Sequence, residues 1–172
     1  MIVQELAAWA APWQSLYNDS KTVSIAVTTV HLLALMFGGG LAVAADRSTL
    51  RAGRAASLAA GFGRPQQLAE LHAVHRPVLI SLSVLFVSGL ALAAADVTTF
   101  ATSWAFWIKM GLVALLLANG VGLTRTETAL RRTATLEASG SDALWNRLRS
   151  GAVTSIVLWT ATLVAGAFLV NA

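Results

Sequence analysis

Apolar residues fall into four long runs, from about Ile25 to Ala45, Pro77 to Ala95, Trp104 to Thr124 and Gly151 to Val170. Each is close to the ~20 residues that an α-helix needs to cross a hydrocarbon core of about 30 Å. The runs therefore predict four transmembrane helices. Ahead of them, Ile2, Leu6, Trp9, Trp13 and Leu16 recur at spacings of three and four, with Glu5 and Gln14 elsewhere. That spacing places the apolar side chains on one helical face. Residues 1–20 thus read as an amphipathic helix, either lying on the outer leaflet or docked on another subunit, and Asn18, Asp19 and Ser20 end it. The predicted fold is all-α: an integral membrane, antiparallel four-helix bundle over 21–172, preceded by an interfacial helix. Close contacts within the bundle are expected at Gly40, Gly89, Gly111, Gly120 and Gly122.

Composition agrees with that pattern. Of the 172 residues, 56% are hydrophobic and only 12% are charged, about half the ~25% usual for soluble domains. No cysteine is present, which excludes disulfides, iron–sulfur clusters and thiolate zinc sites. The net charge of +4 does not point to nucleic acid, because the basic residues sit between the apolar spans. Glu5 and the lack of a basic opening argue against a signal peptide.

Charge also sets the expected topology. The first connection holds Arg47, Arg51, Arg54, Arg64 and Arg76, and the third holds Arg125, Arg131, Arg132, Arg147 and Arg149. The N-terminal arm has only Lys21, and the second connection and C-terminal tail have neither Lys nor Arg. Lys and Arg stay cytoplasmic, so both termini are expected outside a bacterial cytoplasmic (inner) membrane. Gly61, Gly63 and Pro65 should break the first connection, and Ser139 to Asp142 should form a turn in the third.

Few polar residues lie at membrane depth. Counting 1.5 Å per residue from each span's midpoint, His31 lies roughly 6 Å toward the outside, with Met110 level and Lys109 just above. Asn119 falls roughly 7 Å toward the cytoplasm, near Ser81 and Ser83, which are its expected partners. An intramembrane ionisable residue defaults to function, so His31 is the leading candidate ligand, against a neutral histidine bonded between helices. His31 and His75 differ by roughly 20 Å in depth, too far for a shared haem iron; His31 with Met110, or with its own copy in a homodimer, is allowed. His72 and His75 share a helical face and are candidate metal ligands beside Arg76, or simply solvated side chains. Lys109 is expected to pair with Asp96 at the outer face. Gly38, Gly39 and Gly40 permit close approach of a neighbouring helix or a flat cofactor. Trp9, Trp13, Trp104, Trp107 and Trp145 fit interfacial belts, whereas Trp159 falls near mid-membrane.

The stretch His31-Leu-Leu-Ala-Leu-Met-Phe-Gly-Gly-Gly followed by Asp46-Arg47 is one familiar motif. Ser88-Gly89-Leu-Ala-Leu, then Phe106-Trp107-Ile-Lys109-Met and Ala118-Asn119-Gly120, is another. Together they resemble a broad group of bacterial four-helix membrane proteins and, more distantly, the membrane domain of copper-resistance protein D and b-type membrane cytochromes. The resemblance covers the first three spans, matching His31, Gly38-Gly39 and Lys109 by position, and implies a four-helix bundle with haem b or copper. The chain departs from the di-haem pattern in lacking paired histidines at both membrane levels.

Three functions are consistent with these features. One is a redox or metal-linked protein holding haem b or copper near His31, with Met110, Lys109 and the Gly38-Gly39 run close by; its electron partner is then a quinone or an outer-face redox protein. A second is a non-catalytic accessory or assembly subunit of a larger membrane complex, or a homodimer, with no cofactor. The third is a small-solute transporter, ranked last because no buried carboxylate is evident. No nucleophile–base pair, phosphate loop or paired acids marks a stand-alone enzyme.

Overall fold

The computed structural model describes residues 2–58, 64–135 and 141–171, with side chains excepted at 2, 52–58, 64–72, 75, 134, 135, 141, 170 and 171. These residues form six helices: α1 Ile2–Asp19, α2 Lys21–Leu58, α3 Arg64–Ala95, α4 Val97–Thr102, α5 Trp104–Thr135 and α6 Ser141–Asn171. Four stretches are long and apolar enough to cross a membrane: Lys21–Arg51, Arg76–Ala95, Trp104–Thr133 and Asp142–Leu169. That is the make-up of a multi-pass membrane protein. At 38 residues, α2 is about 57 Å long, well beyond a hydrocarbon core of about 30 Å. Gly61, Gly63, Ser139 and Gly140, where turns are expected, lie outside the described residues.

Local chemistry explains the helix boundaries. Ser20 separates α1 from α2, and its hydroxyl accepts from the Val23 amide at 3.4 Å, serving one of the open donors of the new helix. Pro77 sits inside α3, which continues unbroken from Arg64 to Ala95. Asp96 caps the short α4, its carboxylate accepting from the Thr99 amide and the Thr98 hydroxyl, both at 3.1 Å.

Helix α2 packs along α3, α5 packs along α6, and contact between α2 and α6 joins the two pairs. Glycine sets several of these approaches. A Cβ on Gly38 would lie 2.8 Å from the Ser81 Cβ, and one on Gly39 would lie 3.3 Å from the Trp159 ring. Gly89 gives room to the His31 ring in the same way, and Gly151 gives room to Leu123. A Cβ on Gly40, Gly111, Gly120 or Gly122 would meet nothing within 4 Å among the described residues, contrary to expectation. The first, second and fourth are exposed, on faces turned away from neighbours, and Gly120 borders an internal cavity.

A second departure concerns the aromatic residues. Trp9, Trp104 and Trp107 are exposed, but Trp145 is buried against Leu130 and Leu148, with Leu123 and Leu144 beside them. Helices α5 and α6 continue past the predicted spans and pack there, so the level of Trp145 is a protein core. The large apolar side chains left exposed, such as Leu32, Phe37, Val87, Leu115 and Phe168, suit contact with lipid.

Helix α1 docks on its own chain, through contacts with α2, α3 and α4. Its inward face is Ala10, Trp13 and Tyr17, while Leu6, Trp9 and Leu16 from the predicted apolar face point outward and are exposed. The Trp13 indole N–H donates to the Ala91 carbonyl at 2.8 Å, and the Tyr17 and Thr28 hydroxyls lie 3.3 Å apart.

Candidate functional site

Of the residues predicted to carry chemistry, His31, Lys109 and Met110 lie in the half of the molecule nearer α4. The His31 Nδ1 is 3.0 Å from the Ser88 Oγ. The Ser88 hydroxyl already donates to the Val84 carbonyl at 2.7 Å, with the Leu85 carbonyl at 3.2 Å. A hydroxyl has one proton, so the ring must donate through Nδ1–H, a tautomer assigned from the network. Lys109 lies within electrostatic reach of this ring, and its Nζ would be 3.4 Å from a Cβ on Gly166. The structure thus brings His31 and Lys109 near each other. Met110 is half-buried on α5. The space over Gly38 and Gly39 is occupied by Ser81 and Trp159. His72 and His75 are on α3, but the side chains of both lie outside those described. Among the described residues no group of three or more His, Asp or Glu gathers to hold a metal.

Two expected pairings are replaced by others. Asp96 is committed to the α4 cap, and no ion pair joins it to Lys109 among the described residues. The hydrogen bonds from Thr99 and Thr98 hold the Asp96 carboxyl below its ordinary value. Asn119 donates to the Gly151 carbonyl on α6 at 3.0 Å rather than to Ser81 or Ser83, because α5 packs on α6 and not on α3. Ser83 turns back to the Leu79 carbonyl of its own helix.

The other half of the molecule holds a site that sequence reasoning did not find. All four long helices line a cavity of about 100 Å³. Its polar wall comprises Asp46 and Thr49 from α2, Glu127 from α5 and Ser155 from α6. Asp46 is 7% exposed, Glu127 7%, Ser155 5% and Thr49 1%. The Thr49 hydroxyl donates to the Ala45 carbonyl at 3.0 Å, and Glu127 accepts from the Arg131 Nε at 3.0 Å. Ser155 is the side-chain neighbour of the Asp46 carboxyl. The Asp46 Oδ2, however, is buried with no hydrogen-bond partner among the described residues. Trp159, 3% exposed, forms the wall toward the middle of α6.

Helical periodicity builds this wall. On α2 the lining positions are Ala42, Ala45, Asp46 and Thr49, and on α5 they are Leu116, Gly120, Leu123 and Glu127, each a single stripe. Ser155, Trp159, Thr162 and Gly166 continue one face of α6 over roughly 16 Å at 1.5 Å per residue. Thr162 is 4% exposed, and its Oγ1 is the second buried side-chain atom without a partner among the described residues. Asp46 and Glu127 escaped notice because they fall just beyond the apolar runs and read as connection residues. The helices carry them inward; the 3.6-residue stripe leading to each was the available signal.

Burying an unpartnered carboxylate is expensive, and a neutral carboxyl still leaves a polar group unmet. A cavity beside such a group is therefore suited to a positively charged or hydrogen-bond-donating occupant. In class, the chain is a multi-pass helical protein with an acidic cavity among its four apolar helices. It matches no family model, no curated protein and no solved structure.

Proposed function

We propose that this protein is an antiparallel four-span bundle of a bacterial cytoplasmic membrane that moves a small cation, with Asp46 as the counter-charge at its inner end. The carrying observation is the orphaned Asp46 Oδ2 in a cavity lined by all four long helices. Membrane-level carboxylates typically mark ion and proton pathways, and their apparent lack was the reason to rank transport last. Beyond Trp159, Thr162 and Gly166, the latter beside Lys109, continue the same face of α6 toward the opposite end.

The antiparallel arrangement is supported by contact pairs whose numbers run in opposite directions. Gly38 meets Ser81 while His31 meets Ser88 and Gly89; Leu123 meets Gly151 while Lys109 meets Gly166. The ten arginines of the first and third connections support a cytoplasmic cavity end with both termini outside. The natural lack of cysteine allows single cysteines at Ala143 and Asp96 to report sidedness with an impermeant maleimide, the first protected and the second labelled from outside.

Transport is tested by reconstituting the purified chain in liposomes and following proton, sodium, potassium and ammonium flux. Flux above empty liposomes that disappears in Asp46→Asn is the expected result. No flux of any of these cations would overturn the proposal. An absorption spectrum of the same preparation tests the haem or copper reading implied by the family resemblance. A Soret band that shifts on reduction and vanishes in His31→Ala would replace transport with electron transfer.

A further inference from the structure

We infer that the Asp46 cavity binds a small primary ammonium cation. This rests on the transport proposal for its purpose, but not for the binding itself. Three observations define the occupant. The first is charge: Glu127 accepts from Arg131, while the buried Asp46 Oδ2 has no partner among the described residues, which fits a monovalent cation. The second is hydrogen bonding: the Asp46 Oδ2 needs a donor, and an alkylammonium group brings three donors and no acceptor. Ser155, beside the carboxyl in the same wall, offers a hydroxyl oxygen to a second donor. Ca²⁺ and Mg²⁺ need an oxygen-rich shell of about six ligands or more, whereas here Glu127 is engaged by Arg131 and most of the remaining wall is apolar.

The third observation is the rest of the wall. Val78, Leu82, Leu116, Leu123 and Trp159 are apolar, an unfavourable surface for a hydrated inorganic ion but a good one for a short alkyl chain. At about 100 Å³ the cavity exceeds what a single water needs, so it has room for the three heavy atoms of ethylammonium. Trp159 adds an aromatic surface on which a desolvated cation gains further attraction.

The test is calorimetric titration of the full chain in detergent with ethylammonium, tetramethylammonium and sodium chlorides at constant ionic strength. Ethylammonium should bind, and tetramethylammonium, which has no N–H donor, should bind at least about tenfold more weakly. Asp46→Asn should weaken ethylammonium roughly 100-fold and Trp159→Leu roughly fivefold. Thermal unfolding of each variant establishes that it is folded; if Asp46→Asn is not, Ser155→Ala should weaken binding roughly threefold. Absence of ethylammonium binding, sodium binding as tightly, or ethylammonium affinity unchanged in the folded variants would overturn the inference. Asp46-dependent sodium or proton flux without ethylammonium binding would discard the ammonium and keep transport. Ethylammonium binding without flux of any cation would do the reverse.

Discussion

The two ends of the molecule differ in how they treat most of their polar groups, the buried Thr162 Oγ1, between Trp159 and Gly166 on α6, being the exception on the α4 side. At the α4 end, the Trp13 indole reaches the Ala91 carbonyl, Tyr17 meets Thr28, His31 meets Ser88 and Asp96 closes the α4 amides. At the other end, all four long helices line a cavity beside Asp46, whose Oδ2 has no partner among the described residues. Satisfied groups stabilise a fold; an unsatisfied one beside a cavity costs stability and suits an occupant. Depth alone favoured His31, whereas the unpartnered carboxyl oxygen lies at Asp46, at the other end.

The largest expected effect is at the waist between the two ends. Gly38→Leu would place side-chain atoms where the Ser81 Cβ already lies within 2.8 Å of a Cβ, forcing α2 from α3. We expect a loss of about 3 kcal/mol, read as a lower unfolding midpoint in detergent, with both ends affected. The sharpest contrast comes next. Asp46→Asn should raise stability by about 2 kcal/mol in the absence of cation while abolishing flux, because it removes a buried charge whose Oδ2 has no partner among the described residues. His31→Phe should lower stability by about 1 kcal/mol and leave flux intact, since it removes only the hydrogen bond to Ser88. If the two substitutions shift stability in the same direction, the distinction between the ends fails.

Two smaller effects sharpen the structural end. Trp13→Phe removes the indole donor to Ala91 and should speed amide exchange across α1, with a cost of about 1 kcal/mol or less to its docking. For Asp96 the sign follows from its lowered pKa. Its contribution to α4 is complete above the ordinary carboxyl value of about 4 and is lost as pH falls through the lower folded value. Faster exchange of the Thr99 amide in that acidic range, and at neutral pH in Asp96→Ala, is the expected outcome. Unchanged exchange would remove the cap from the account.

Much of the helical plan was legible because long apolar runs need no tertiary information to be recognised. The runs from Ile25 to Ala45 and from Trp104 to Thr124 lie inside α2 and α5. Their ends were not legible. Beyond the apolar run, α2 continues through Asp46 and Thr49, and α5 through Glu127 and Arg131, in segments whose charged composition resembles a connection. Trp145 was misjudged for the same reason, since belt and core tryptophans are alike in sequence. The Gly38-Gly39 run was recognised as a place of close approach, but its partners, Ser81 and Trp159, required the packed helices.

The sequence by itself determined the element type, the four membrane-length helices and the charge asymmetry of their connections. Each is a local property of composition and periodicity, read within about 20 residues. Tertiary structure alone decided that α6 sits against α2, that Asn119 answers Gly151, and that Asp46 faces a cavity rather than solvent. Those outcomes depend on which faces of distant helices meet. The cost of a carboxylate likewise depends on the atoms around it, and no local pattern records them.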